Sequence, residues 1–134
     1  MRHSLRLHPD AEGDLDALFE EDEDAYAAIV AFIEEAQASQ VMLERMTSAE
    51  YEDKIHTPGF DIKRWQALWR TVPLWRIRLF GVPGKAASRR IVYTFHPGEG
   101  KFYILGVIPR DFDYEPSHPL SKRIIRACED IGVS

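Results

Sequence analysis

Alternating apolar and polar positions predict four strands, one near the N-terminus and three in the second half of the chain. Residues 4–8 alternate over a short run, which is typical of a strand with one buried face. Residues 74–79 alternate aromatic or aliphatic side chains with two arginines, and residues 89–95 form a second such run. Residues 101–108 are almost continuously apolar, as expected for a central strand. Turns that contain glycine or proline separate the last three runs.

Apolar residues at spacings of three and four predict two helices directly after the first strand. Pro9 suits the first turn of a helix, and the apolar stripe that follows it continues to Phe19. The acidic run of residues 20–24 is predicted to form a solvated turn, and a second helix is predicted over residues 24–38. Two helices this close in the chain predict an antiparallel helical hairpin.

The pattern is weaker between the helical hairpin and the last three strands. Residues 41–46 are predicted to form a short helix, and residues 47–59 an irregular polar stretch that ends in a Pro-Gly turn signal. Residues 60–65 alternate, so they are expected to form a short strand or an extended approach to the sheet. Residues 66–72 are ambiguous.

A C-terminal helix completes the predicted fold. It is expected over residues 120–131, with Gly132 as its stop. The predicted class is α+β, a single domain over residues 1–134. In that domain an N-terminal strand and a helical hairpin pack on a small, mainly antiparallel sheet, with a short C-terminal helix.

Composition indicates a soluble globular protein of the reduced cytoplasm. Apolar residues make up 45% and charged residues 29% of the 134 positions. Cys128 is the single cysteine, which excludes an internal disulfide framework. No apolar run approaches the roughly 18 residues of a spanning helix, and the N-terminus has no signal-peptide core. We therefore expect a cytoplasmic protein without a membrane partner.

The net charge of −5 hides a strong asymmetry along the chain. Residues 1–53 contain 3 basic and 15 acidic residues, whereas residues 54–110 contain 11 basic and 2 acidic residues. An asymmetry of this kind favours an anionic partner for the basic half. The alternative is that the two halves neutralise each other within one compact domain.

Motif analysis excludes several classes of site. The five histidines form no pair at metal-binding spacing and no cluster with cysteine, so no metal and no cofactor is expected. No glycine-rich loop follows a strand and opens a helix, which argues against a nucleotide-binding loop. No nucleophile-elbow pattern is present.

Three blocks in the second half of the chain resemble the RelE/ParE toxin superfamily, specifically its RelE-like, mRNA-cleaving branch. Residues 75–79 (Trp-Arg-Ile-Arg-Leu) are similar to the family strand that alternates basic and aliphatic residues. Residues 90–93 (Arg-Ile-Val-Tyr) are similar to the adjoining strand, and residues 102–114 to the apolar strand that ends in an arginine and then a tyrosine. The resemblance covers most of the chain, but residues 42–65 are longer than the usual family connection.

The resemblance implies a toxin of a type II toxin–antitoxin system. Members of this branch cleave mRNA in the ribosomal A site without a metal, and an antitoxin protein holds them inactive. The implied partners are therefore a cognate antitoxin and mRNA on the ribosome. The implied chemistry is attack of a ribose 2′-hydroxyl on its own 3′-phosphate.

The resemblance also implies a set of site residues, in which arginines would bind phosphate because guanidinium groups stay charged and pair with its oxygens. The catalytic candidates are Arg76, Arg78, Arg90, Arg110 and Tyr114. The RNA-binding candidates are Lys63, Arg64, Arg89 and Lys101. Alternation predicts that at least Arg76, Arg78 and Arg90 share one face of the sheet.

The general base stays open. Some family members have lysine at the positions of Arg76 and Arg78, and arginine does not give up its proton in proteins. The base would then be Tyr114, with its pKa lowered by nearby arginines, or another group such as Lys63 or His96.

Three other interpretations also stay open. The arginines of residues 75–79 are also consistent with ordinary solvent-facing strand positions. The chain is also consistent with a ParE-like inhibitor of DNA gyrase, which the four arginines disfavour. A non-catalytic protein-binding module of the same fold is the remaining alternative.

Overall fold

A six-stranded sheet forms the centre of the protein in a computed structural model that describes residues 2–110 and 115–133. Strand β1 pairs in parallel with β6, and all other neighbours are antiparallel, in the order β1-β6-β5-β4-β3-β2. The strands are β1 (Ser4–Leu7), β2 (Glu50–Asp53), β3 (Phe60–Arg64), β4 (Trp75–Leu79), β5 (Arg89–His96) and β6 (Lys101–Pro109).

In the part of the chain that the structure describes, four helices lie on the two faces of this sheet, which confirms the α+β class. They are α1 (Pro9–Glu21), α2 (Glu23–Gln37), α3 (Gln40–Arg45) and α4 (Pro119–Asp130), with short 3-10 helices at Gln66–Leu68 and Gly84–Ser88. Within the described ranges, none of these helices has both the length and the apolar character needed to cross a membrane.

The helical hairpin of α1 and α2 covers one face of the sheet, here called the hairpin face. Alternation along β4 places Trp75, Ile77 and Leu79 on this face, and all three are buried in its core. Tyr93 of β5 is fully buried there, and its hydroxyl donates a hydrogen bond to the carbonyl of Met46 at 2.7 Å.

Helix α4 covers only part of the opposite face, here called the α4 face. It packs Ile124 and Cys128 against Val92 of β5 and Leu105 and Ile108 of β6, all of them buried. The strands β3 and β4 present charged side chains on the rest of this face. Burial on both faces explains why β6 is almost continuously apolar, as a central strand must be.

The structure corrects the sequence prediction at two places. Residues 47–59, expected to be irregular, contain the edge strand β2, so the sheet is larger than predicted. The sequence does not predict β2 because the strand lacks alternating apolar residues. Only Tyr51 of this strand packs inward, against Phe60. The helix break expected over residues 20–24 is the single residue Asp22, whose carboxylate caps α2 by accepting a hydrogen bond from the Ala25 amide at 3.1 Å.

An ion pair between α1 and α4 closes the edge of β6 beyond the end of β1. Arg123 of α4 donates two hydrogen bonds to the Asp14 carboxylate, at 2.9 and 2.6 Å. The same carboxylate accepts the backbone N–H of Val107 at 2.9 Å. One carboxylate therefore links α1, β6 and α4, and it satisfies an edge amide that β1 is too short to reach.

Replacing Gly106 with alanine should loosen the contact between α4 and β6. A Cβ at this position would lie 2.8 Å from Cδ1 of Ile124 and 2.9 Å from Nη2 of Arg123, closer than side chains tolerate. We expect the free energy of unfolding to fall by about 1 to 3 kcal/mol, measured by urea denaturation. Gly13→Ala is the matched control, because nothing lies within 4 Å of its Cβ position. In helix α1 this control should raise stability by up to about 1 kcal/mol. Equal losses in both variants would contradict the close packing.

Candidate nucleic-acid interface

Two arginines of β4 share one buried carboxylate on the α4 face. Asp61 of β3 lies opposite Arg78 in the strand register, and its side chain is 3% exposed. Arg78 donates from Nη2 to Oδ2 of Asp61 at 2.7 Å, and Arg76 donates from Nη1 to Oδ1 at 3.0 Å. The carboxylate therefore sets the position of both guanidinium groups.

The two guanidinium groups keep unused hydrogen-bonding capacity on the surface. Their side chains are 21% exposed for Arg76 and 40% exposed for Arg78. Each guanidinium group has five N–H donors on three nitrogens, and Asp61 accepts a hydrogen bond from one of these nitrogens in each arginine. Two positive charges against one negative charge leave this cluster with a net charge of +1. The arrangement is suited to an anion with several oxygen atoms, such as a phosphate.

Arg90 lies on the same face as Arg76 and Arg78, as predicted, but inside the protein. It is 7% exposed, and it lies opposite Ile108 of β6. Its Nη1 donates to the carbonyls of Ala87 and Arg89, at 3.1 and 3.0 Å. These bonds fasten the end of the 3-10 helix Gly84–Ser88 to β5, so Arg90 has a structural task in addition to any role with phosphate.

Arg110 follows β6 and is exposed at the same end of the sheet as Arg90. Its backbone N–H donates to the carbonyl of Ser88 at 2.9 Å, which extends the pairing with β5 by one bond. Tyr114 lies outside the described residues. The predicted catalytic roles of Arg76, Arg78, Arg90, Arg110 and Tyr114 remain predictions.

The four predicted RNA-binding residues divide into two groups. Lys63 is exposed on the α4 face opposite Arg76, and Arg64 follows it. The guanidinium of Arg64 stacks on the Trp69 ring, with 4.4 Å from Cζ to the ring centroid. Arg64 and Arg76 line one small cleft of about 220 Å³. Lys63 therefore extends the arginine cluster, whereas Arg64 lies opposite Trp75 of the hairpin face and shares only this cleft with Arg76.

Arg89 and Lys101 are not brought to this cluster. Arg89 points toward the hairpin face, where its Nη2 donates to Oε2 of Glu21 on α1 at 2.8 Å. Lys101 begins β6 opposite His96, at the other end of β5 from Arg90. At strand rise the six residues from Arg90 to His96 span about 20 Å. His96, one of the alternatives for the base, is equally far from Arg90, and it is four residues, about 13 Å, along β5 from Val92, the register partner of Arg76.

Sequence reasoning missed Asp61 and a cleft beside Arg78. The sequence contains one indication of Asp61, which is that Asp61 and Glu99 are the only acidic residues among residues 54–110. The cleft is formed by the hairpin between β2 and β3, together with Phe80 after β4. Its position follows from the pairing of β2, which the sequence does not predict. Among the described residues, no group of three or more histidine, cysteine or acidic side chains is arranged to hold a metal ion.

His56 fastens the β2–β3 hairpin to helix α2. Its Nε2 lies 2.7 Å from Oε1 of Glu35, and its Nδ1 lies 3.0 Å from the carbonyl of Pro58. Both partners are acceptors, so both ring nitrogens donate only when the imidazole is protonated. The Pro58 carbonyl, and after it the Glu35 carboxylate, raise the pKa of His56 above its ordinary value, whereas desolvation opposes them.

Replacing Asp61 with asparagine should destabilise the fold by about 1 to 3 kcal/mol, because two hydrogen bonds to charged groups are lost or weakened. Glu52→Gln is the control. Glu52 lies opposite Asp61 in the register of β2 and β3, but it is exposed and pairs with Lys54 at 3.2 Å. The control should stay within about 0.5 kcal/mol of the wild type. If Asp61→Asn and Glu52→Gln unfolded at the same denaturant concentration, the buried cluster would be contradicted.

The contacts of His56 with Glu35 and Pro58, here called the hairpin clip, should make the free energy of unfolding depend on pH. The pKa of His56 is raised in the folded protein, so its contribution to stability is complete below the ordinary histidine pKa of 6.5 and is lost as pH rises through the folded pKa. We expect the free energy of unfolding of the wild type, relative to His56→Gln, to decrease between about pH 6 and about pH 8. Glu35→Gln should reduce this slope without abolishing it, because the Pro58 carbonyl remains. Parallel pH profiles for wild type and His56→Gln would exclude the clip.

Comparisons with known proteins give one structural similarity. No family model matches the sequence, and no curated protein matches it. A chain in the crystal structure of the archaeal RelE–RelB complex from Pyrococcus horikoshii OT3 is similar to this chain, with 17% identity and a TM-score of 0.45. The match covers 84% of this chain and 100% of that chain. Similarity at this level does not assign the chain to a family.

Proposed function

We propose that the protein is the toxin of a type II toxin–antitoxin system, a metal-independent endoribonuclease that cleaves mRNA on the ribosome. A cognate antitoxin would hold it inactive by covering the basic cluster. The observation that carries the proposal is the fixed pair of Arg76 and Arg78. Both guanidinium groups are held by Asp61 on an exposed part of the sheet, with donors left over for phosphate.

The neighbouring cations support an RNA strand as the ligand. Lys63 of β3 lies opposite Arg76, Arg64 lines one cleft with Arg76, and Arg110 is exposed at the end of β6. Among the described residues, Lys63 and Arg110 have no acidic partner within ion-pair distance. A row of cations on both sides of the arginine pair matches the repeated phosphates of a polynucleotide.

The proposed reaction needs charge stabilisation more than any other contribution. The ribose 2′-oxygen forms a bond to the adjacent phosphorus while the bond from phosphorus to the 5′-oxygen breaks, which leaves a 2′,3′-cyclic phosphate and a 5′-hydroxyl. Arg76 and Arg78 would offset the negative charge that develops on the phosphorane, with Arg110 as a third cation.

Two proton transfers accompany this bond exchange. The 2′-hydroxyl gives its proton to a base, and the departing 5′-oxygen receives a proton from an acid. Arginine does neither at neutral pH, so the base in this proposal is Tyr114 or another group such as Lys63, which lies opposite Arg76 in the strand register.

A non-catalytic protein-binding module is the second candidate, and the chemistry of the cluster favours it in one respect. Asp61 already neutralises one of the two positive charges. Among the described residues, Asp61 is the side chain that hydrogen-bonds both guanidinium groups, and no histidine or tyrosine accepts a hydrogen bond from either of them. Such a module would bind an acidic protein segment at the same cluster without cleaving RNA.

Induced expression of the wild type should stop translation and growth, and replacing both Arg78 and Arg110 with glutamine should relieve this. We expect mRNA cleavage to fall by about 100-fold or more, because two positive charges at the phosphate are lost. Primer extension on a reporter mRNA measures the cleavage. Arg78 and Arg110 are preferred over Arg90, since substituting a buried arginine also tests the fold.

Arg126→Gln is the control, because Arg126 is exposed on α4. It should leave toxicity unchanged, and circular dichroism should show that both variants fold. Full toxicity of the Arg78 and Arg110 double variant would reject the arginine site. A block in DNA supercoiling rather than translation would favour a gyrase inhibitor. No growth effect of the wild type would favour the binding module.

A further inference from the structure

The hairpin between β2 and β3 builds an open cleft of about 580 Å³ next to the arginine cluster. Residues 54–59 of the hairpin form one wall, and Arg78 and Phe80 form the other. Both walls are fixed, because the Phe80 backbone N–H donates to the carbonyl of Gly59 at 2.8 Å. His56 also fastens the hairpin to α2 through Glu35. This cleft is therefore a preformed feature of the surface.

Arg78 presents a rigid flat platform in this cleft. Its guanidinium lies over the Phe80 ring, with Cζ 4.7 Å from the ring centroid, and its Nη2 is tied to Asp61. The side chain is still 40% exposed. Guanidinium planes held in this way stack on nucleobases, and less ordering entropy is lost when the plane is already fixed.

The charges around the cleft favour an anion. Lys54 and Arg78 are cationic, and His56 is a third lining residue with a raised pKa. Glu52 is the single acidic residue of the lining, and it pairs with Lys54 at 3.2 Å. The Lys54 side chain is 79% exposed, so its ammonium group is free to turn toward a ligand phosphate.

We propose that this cleft binds one nucleotide of a single-stranded RNA, with the base stacked on the exposed face of the Arg78 guanidinium and a phosphate at Lys54. The inference rests on the proposed RNA-cleaving function and extends it to a subsite built by residues 50–64. The cleft volume is sufficient for one nucleotide, because small-molecule sites occupy about 300 to 1,000 Å³. His56 is a positioning residue, since both its ring nitrogens are occupied by Glu35 and Pro58.

Titration with nucleoside 5′-monophosphates, followed by amide chemical shifts in NMR spectra, tests the subsite. The wild type should bind them at millimolar concentration, with shifts at residues 54–59 and 78–81. Ribose 5-phosphate, which has no base, should bind at least about fivefold more weakly. Inorganic phosphate reports the contribution of charge alone.

Three variants separate the base from the phosphate. Arg78→Lys keeps the charge and loses the flat surface, and Phe80→Leu removes the ring beneath it. Both should weaken nucleotide binding by about fivefold or more and leave ribose 5-phosphate binding unchanged. Lys54→Gln should weaken both ligands. The controls are Phe19→Leu, an exposed aromatic residue on α1, and Lys85→Gln, an exposed lysine paired with a glutamate on the other face.

The inference is overturned if nucleotides do not bind, or if ribose 5-phosphate binds as tightly as they do. It is also overturned if shifts fall outside the cleft, or if Phe19→Leu or Lys85→Gln weakens binding as much as the cleft variants. Expression of the wild type in cells, scored for growth and mRNA cleavage, tests the proposed function separately. Toxicity without nucleotide binding rejects the cleft alone, and nucleotide binding without toxicity rejects the toxin function alone.

Discussion

Unequal covering of the two sheet faces is the constraint that organises this protein. The helical hairpin buries the hairpin face from β1 to β3, whereas α4 has twelve residues, about 18 Å of helix, and packs on β5 and β6. Strand β6 therefore carries apolar side chains on both faces, and β5 contributes Val92 to the core under α4. The part of the α4 face formed by β3 and β4 meets water and carries Asp61, Lys63, Arg76 and Arg78.

Asp61 fixes the positions of the charged groups on this uncovered surface. A single carboxylate, buried to 3% exposure, binds two guanidinium groups that would otherwise repel each other. Because the arginines are more exposed than the aspartate, their outer N–H groups remain available to a ligand. The Phe80 ring beneath Arg78 adds a second restraint, which links the arginine cluster to the cleft beside it.

The acidic and basic halves of the chain neutralise each other only in part. Glu21 of α1 pairs with Arg89 and Lys85, and Glu35 of α2 pairs with His56. These contacts all lie on the hairpin side of the sheet. On the α4 face the acidic half contributes no partner to Arg76 or Arg78 among the described residues. The two halves therefore neutralise each other on the hairpin side of the sheet, whereas an anionic partner for the α4 face stays a prediction.

The sequence by itself determined the helical hairpin, the last three strands, the C-terminal helix and the shared face of Arg76, Arg78 and Arg90. These features depend on the local periodicity of apolar and polar residues, which can be read directly from the sequence. Only the tertiary structure decided that Arg90 is buried, that Arg89 faces Glu21 and that Lys101 lies at the other end of β5, about 20 Å from Arg90. It also decided that β2 exists, and with it the cleft. These features depend on strand register and on partners distant in sequence, as between Asp61 and Arg78, and periodicity contains no information about either.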